Sequence, residues 1–346
     1  MPTTMTYADL KIVDGQDPTT PLQKIAILEK PYTLSLAEAE ILEPSCNEVR
    51  VKVVYVGICG SDLEAFKGTR KPEFISMPAR LGHEVAGIID KVGSNVSGLE
   101  VGMRVACRYV WGAYAEYIVC KPFNVQVMPN SFPLTAISLI EILPGVIHAA
   151  ELANIDSGTR VLIIGQGVSG LMLTQIISLY SPAELVVTDY KQRNLDLALE
   201  YGASSVIKIP RDEVENSPTV LKTHSEGFDV VIPCLLEGDC VADAISCCRV
   251  GGKVVMYGGI GVACRPFDFF AMHRKRAEIL STEPKRDIDM YRYFKEGISL
   301  VKDGLVRTND YIDRIFPLDE IQQAFETRAD VDNDIIHVLI QVAEEA

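Results

Sequence analysis

One local pattern constrains this 346-residue chain more than any other. The apolar run RVLIIG turns through Gly165-Gln166-Gly167-Val168-Ser169-Gly170 into the helical stretch LMLTQIISLY. A GxGxxG string alone is a weak signal, but between a strand and a helix it has a mechanical reading. Gly165 permits the tight turn, Gly167 lets a pyrophosphate approach the backbone, and Gly170 lets the helix pack close to the sheet. Val168 and Ser169 open the helix, whose free N–H groups and positive dipole end suit phosphates. Nineteen residues beyond Gly170, Asp189 closes the run ELVVTD. A carboxylate there accepts hydrogen bonds from both hydroxyls of an adenosine ribose and repels a 2′-phosphate, which predicts NAD rather than NADP. Lys191 and Arg193 are near enough to leave some room for NADP.

The flanking sequence extends this unit. RVLIIG, ELVVTD, SVIKI, FDVVIPC and GKVVMYG are short apolar runs separated by segments of helical periodicity. Such alternation predicts a parallel sheet covered on both faces. Up to about residue 135 the rhythm differs: EVRVKVVYVG, EVAGIIDKVGS and AEYIVCKPFNVQVMP read as strands punctuated by Gly, Pro and Asn. After EILST come two helical segments, MYRYFKEGISLVKDG and IFPLDEIQQAFETRAD, and a last strand, IIHVLIQV. A tail that finishes on a strand is expected to pair back onto the first module. The chain is also longer than one core usually sustains. The expected architecture is therefore α/β in two domains, a mostly β domain from 1–150 and 291–346 around a doubly wound domain from 151–290.

Composition removes whole classes of partner. With 33 basic and 47 acidic side chains the formal charge is −14, a surface that repels nucleic acid and anionic lipid. The start, MPTTMTYADLKIVDG, has neither the apolar core of a signal peptide nor the basic character of a transit peptide. The most apolar stretch, LTAISLIEILPGVIHAA, is broken by Glu141 and Pro144. Nine cysteines, odd in number and irregularly spaced with no CxxC pair, fit a reducing compartment. A cytoplasmic protein is expected.

One of those cysteines stands apart. Cys59 lies in GICGSDLEAFKG, followed by Gly82-His83-Glu84 and, fifty-seven residues after Glu84, by Glu141. Singly, each has an ordinary structural explanation. Together they offer a sulfur, an imidazole and two carboxylates, the donor types that zinc prefers. Three protein ligands with an open fourth position is the catalytic pattern.

At these residues the chain resembles the zinc-dependent medium-chain dehydrogenases, especially their polyol (sorbitol-type) branch. The resemblance spans nearly the whole chain and is carried by GICGSD, LGHEVAGIIDKVGSNVSGLEVGMRV, GAYAEYIV, EILPGVIHA and GQGVSG. It implies a GroES-like, partly open β-barrel as catalytic domain, a Rossmann-type domain inserted into it, and an active site between the two. It implies Cys59 and His83 as zinc ligands, Glu84 as a direct or alternate ligand, and Glu141 facing the metal directly or through water. Alcohol-type members place a cysteine where Glu141 stands, so the glutamate favours a polyol, sugar or cyclitol. The activity implied is hydride transfer from a carbinol carbon to NAD, with the metal as Lewis acid and Ser61 taking the hydroxyl proton. A homodimer or homotetramer is implied as well.

The chain departs from the family at three places. Many members carry a structural zinc in a lobe of four cysteines, whereas VGMRVACRYVWGAYAEYIV joins the flanking motifs almost directly, so one zinc is expected, with Cys107 and Cys120 left over. Met103 replaces the acidic residue of a GDRV motif. Glu64 stands where relatives often have histidine, and as a carboxylate it is expected to accept hydrogen bonds rather than shuttle protons at neutral pH. Asp62 is expected to hold the loop. Competing readings are a threonine-type or sugar-phosphate dehydrogenase and, in another class, a zinc-free quinone-reductase-like or structural nucleotide-binding protein.

Overall fold

A computed structural model describes residues 21–71, 75–211, 216–235, 238–258, 261–263, 265–284, 286 and 290–345. The N-terminal stretch read above for targeting signals and Cys264 lie outside them. In chain order the elements of the first part are β1 (Leu22–Lys30), β2 (Thr33–Glu40), β3 (Val49–Gly57), α1 (Gly60–Lys67), β4 (Glu84–Val92), β5 (Arg104–Cys107), β6 (Tyr117–Cys120), β7 (Val125–Val127) and α2 (Leu134–Ser138). There follow α3 (Leu143–Ala153), β8 (Arg160–Ile164), α4 (Val168–Ser178), β9 (Glu184–Asp189), α5 (Gln192–Glu200), β10 (Ser205–Lys208), α6 (Ser217–Thr223) and β11 (Phe228–Pro233). The remainder is α7 (Cys240–Cys247), β12 (Cys248–Met256), α8 (Phe269–Lys275), β13 (Glu278–Ser281), α9 (Tyr291–Lys302), β14 (Ile312–Pro317), α10 (Ile321–Ala329) and β15 (His337–Gln341).

These elements divide into two compact units, Met1–Ile142 with Thr308–Ala346, and Leu143–Arg307. In the first, a seven-stranded sheet runs β14-β15-β3-β4-β5-β7, with β6 also paired to β3, beside the two-stranded β1-β2 sheet. β3 is central, pairing with β15, β4 and β6, and only one of its nine residues is not buried. The last strand, β15, pairs antiparallel with β3, Leu339 opposite Gly57. Its Val338 and Ile340 enter one core with Val51, Val53, Val56, Phe66 and Phe325.

The second unit is a six-stranded sheet, order β10-β9-β8-β11-β12-β13, all pairs parallel. Numbered within the unit this is 3-2-1-4-5-6, the doubly wound order whose reversal lies between its first and fourth strands. The glycine turn follows the first of those strands, β8, at its carboxyl end, the place where such sheets bind ligands.

The division falls at 142/143 and 307/308 rather than 150/151 and 290/291. The cause is packing: α3 and α9 lie against each other, and α3 also contacts α4 and β12. A Cβ on Gly297 would come within 2.7 Å of the Leu143 Cβ, so only glycine lets the two helices approach this closely. The 134–153 run is long and apolar enough to cross a membrane, yet 72% of its most apolar window is buried inside the protein.

Candidate metal and cofactor sites

The first site is built where β3 ends and α1 begins. Cys59 is the N-cap of α1, with its sulfur accepting from the N3 backbone, and Asp62 at N3 reaches back to the Cys59 N–H at 3.3 Å. The Asp62 carboxylate, 1% exposed, also accepts from the Gly82 N–H at 3.3 Å and the Tyr114 hydroxyl at 3.1 Å. It faces His83 Nδ1 at 3.6 Å. Asp62 thus ties the cysteine loop, the GHE loop and Tyr114 together, and turns one nitrogen of His83 toward itself. An acid bonded beside a ligand histidine fixes the ring's orientation.

The ligand atoms offered by Cys59, His83 and Glu84 all lie within 4.8 Å of one another. His83 and Glu84 are buried. Burial and the Glu84 carboxylate push the Cys59 thiol up. Burial works against a charged His83, but the Asp62 and Cys59 charges outweigh it and hold the imidazole well above its usual range. His83 Nδ1 and Glu84 Oε2 make no hydrogen bond although both are enclosed by protein. A sulfur, a nitrogen and an oxygen donor converging in one buried cluster fit a zinc ion.

Glu141 stands outside this group among the described residues. It lies in a short 3₁₀ turn before α3, where Arg108 donates to its carboxylate at 3.0 Å and to its carbonyl oxygen. The reason is local: Arg108 opens the short connector between β5 and β6, residues 108–116, and this arginine claims the carboxylate. The connector itself holds no cysteine, and between Met103 and Tyr117 there is one, Cys107, at the end of β5. Cys107 and Cys120 are buried and unbridged. Their sulfur contact and burial push the Cys107 thiol well above its ordinary value.

The connector also brings Trp111 to the site. Its ring lies 4.6 Å from that of His83, centroid to centroid, inclined at 46°. Arg80, 7% exposed, donates to the Gly112 carbonyl at 2.5 Å and so pins the connector from beneath. Burial lowers this guanidinium to about 10. Ser61 is the second residue of α1 and half-buried; Glu64, on the same helix, is buried.

Sequence reasoning missed His337. The first residue of β15, it is 1% exposed, and its Nε2 lies 3.0 Å from Glu84 Oε2, whose residue is also 1% exposed. The one available signal was an imidazole in the otherwise apolar run IIHVLIQV.

In the second unit the glycine turn has the geometry its sequence implies. Gly165 has φ +92°, and its Cβ would meet Leu235 at 2.6 Å. A Cβ on Gly170 would come within 2.1 Å of the Gly165 carbonyl oxygen, whereas one on Gly167 would meet nothing within 4 Å. The α4 N-terminus has no side-chain cap. Open space above Gly167 and uncapped amides beside it fit a pyrophosphate. The Ser169 hydroxyl accepts from Tyr257 at 3.3 Å. Asp189, 8% exposed, takes the N–H of Gln166 at 2.7 Å and that of Lys191 at 2.8 Å. Burial raises its carboxyl despite those bonds.

Residues 45–130 match the alcohol dehydrogenase GroES-like domain family, and residues 169–295 the zinc-binding dehydrogenase family. The chain is 27% identical to a Bacillus subtilis sorbitol dehydrogenase, over 92% of this chain and 96% of that one. It is 26% identical to a Saccharomyces cerevisiae D-xylulose reductase, over 88% of this chain and 93% of that one. An Escherichia coli oxidoreductase/dehydrogenase of unknown specificity shares its fold with TM-score 0.79 at 25% identity, covering 94% of this chain and all of that one. The chain belongs to the zinc-dependent medium-chain dehydrogenases: a GroES-like unit with an inserted Rossmann-type unit. It is an alcohol-oxidising enzyme of that family.

Proposed function

We propose that this enzyme moves a hydride from a secondary alcohol of a polyol, sugar or cyclitol to NAD, giving a ketone, with one zinc held by Cys59, His83 and Glu84. The observation that carries the reading is the convergence of those three unlike donors within 4.8 Å. The relatives named for sorbitol and D-xylulose support the substrate class. Asp189 at the end of β9 supports NAD over NADP, because the carboxylate that holds the turn amides has further lone pairs for ribose hydroxyls and repels a 2′-phosphate. We further infer a cytoplasmic homo-oligomer without nucleic-acid or membrane partners.

Each residue's task follows from its place. Cys59, His83 and Glu84 would hold the zinc, which would supply the Lewis acidity for an alcohol hydroxyl to ionise near neutral pH. Ser61, two residues past Cys59 on α1 and only half-buried, would relay the released proton, passing its own hydroxyl proton on to solvent. Asp62 keeps His83 in one orientation, and Trp111 keeps water from one face of that imidazole. Gly167 leaves room for the pyrophosphate of the nicotinamide cofactor, which accepts the hydride.

The test is a panel of polyols, cyclitols, sugar phosphates, hydroxy-amino acids and simple secondary alcohols, assayed for NAD and NADP reduction with and without a chelator. Reduction of NAD by at least one polyol, sugar or cyclitol, abolished by metal removal and restored by zinc, is expected. No reaction with that class, or full activity in the metal-free protein, overturns the reading. Gly167→Ala checks the cofactor turn separately. Because its Cβ meets no protein atom, the melting temperature should stay within about 2 °C of the parent. NAD affinity should nevertheless fall by about tenfold or more, measured calorimetrically.

A further inference from the structure

Glu84 and His337 are 253 positions apart in the chain yet meet on three neighbouring strands. In the sheet, β15 pairs with β3 and β3 with β4, so that Gly57 stands opposite both Leu339 and Glu84. A Cβ on Gly57 would lie 2.0 Å from Glu84 Oε2 and 2.6 Å from His337 Nε2. The missing side chain of Gly57 is therefore the slot in which carboxylate and imidazole come together. Both residues are 1% exposed, so neither has water to turn to. The 3.0 Å contact is an ion-pair distance without the direction of a formed hydrogen bond, and neither His337 nitrogen has a hydrogen-bond partner. A buried carboxylate with no directed partner on one oxygen is costly unless a neighbouring group holds it.

We propose that His337 is a positioning residue of the metal site: through the slot over Gly57 it holds Glu84 Oε2, so that the carboxylate presents its other oxygen to Cys59 and His83. This rests on the reading of that triad as metal ligands. A partner bonded to a ligand side chain limits its rotation, and losing such a partner typically weakens metal affinity by about 10–100-fold. The predicted contribution is thus to metal affinity, beyond any contribution to folding.

The experiment reads metal occupancy without turnover. Trp111 is the only tryptophan, and its ring lies 4.6 Å from that of His83. Cobalt(II) bound at the triad therefore quenches nearly all tryptophan emission. The full-length metal-free protein is titrated with cobalt(II), and zinc affinity is obtained by competition. His337→Leu is expected to weaken cobalt binding by about 10–100-fold. His337→Asn, whose amide is too short to reach Oε2, should do the same. His337→Gln, whose amide nitrogen can occupy the place of Nε2, should stay within about threefold of the parent. On a Glu84→Gln background, His337→Asn should add less than about twofold, because the partner it held is already changed.

Should His337→Leu fail to fold, the Asn and Gln pair decides, with the melting temperature of each recorded. A merely structural role would lower melting temperature in Asn and leave the cobalt affinity of the folded protein unchanged. That result, or an equal loss with and without Glu84→Gln, overturns the proposal. If the parent protein itself binds neither metal at the triad, the ligand reading fails, and this inference with it.

Discussion

Cys59→Ala should yield a folded protein that keeps less than about a tenth of the parent's zinc and loses at least about a thousandfold in kcat/KM. The magnitude follows from the chemistry: Lewis-acid stabilisation is worth several kcal/mol, and each 1.4 kcal/mol, about, is tenfold in rate. The fold should survive because Cys59 sits at φ −66° and ψ 157°, a conformation alanine adopts freely, and its structural role in α1 is that of a cap. Losing a cap costs about 1 kcal/mol. Elemental analysis, thermal unfolding and steady-state kinetics on the same preparation check the three parts. NAD affinity should be unchanged, since the glycine turn belongs to the other unit. Retained zinc with retained rate would show that Cys59 is an ordinary cap.

Gly57→Ala should be among the most damaging single-methyl changes available in this chain. Its Cβ would sit 2.0 Å from Glu84 Oε2 and 2.6 Å from His337 Nε2, inside van der Waals contact with two buried polar groups. β3 is paired on both sides, so the backbone cannot move aside. Overpacking and the separation of a buried pair together predict a loss of about 3 kcal/mol or more, measured by urea unfolding. Metal affinity should fall with it. Gly98→Ala is the control: that residue has φ +77° but meets nothing within 4 Å, so only backbone strain of about 1–2 kcal/mol is expected. A smaller effect at Gly57 than at Gly98 would mean that the slot collapses without consequence.

What could be read in advance divides by how local the physics is. The three glycines of the cofactor turn have separate jobs that their spacing between a strand and a helix implies, and the turn has a positive φ, open space and a close approach. Cys59, His83 and Glu84 were legible because their motifs are short and each donor type is chemically distinctive. His337 was not, since a histidine in a strand says nothing of which residue two strands away it will meet. Glu141 was expected to face the metal from its family position. Its carboxylate is held by Arg108, whose reach depends on how the shortened connector folds. The division expected at 150/151 falls eight residues earlier, at 142/143, because Glu141 and Pro144 interrupt the apolar run 134–153 without showing which core each half joins.

The placement of His337 also sets an order of events during synthesis. The inserted unit, 143–307, has all its strands in hand well before β15 leaves the ribosome, and can close its parallel sheet early. The first unit cannot, because β15, which pairs beside β3, follows every other described strand in the chain. Until then β3 exposes an apolar edge, and Glu84 is without the imidazole that meets it. Nascent chains halted before residue 337 should therefore hold a folded nucleotide unit beside a catalytic unit whose metal triad is still loose. Firm metal binding at the triad is then expected only after β15 has emerged and paired with β3.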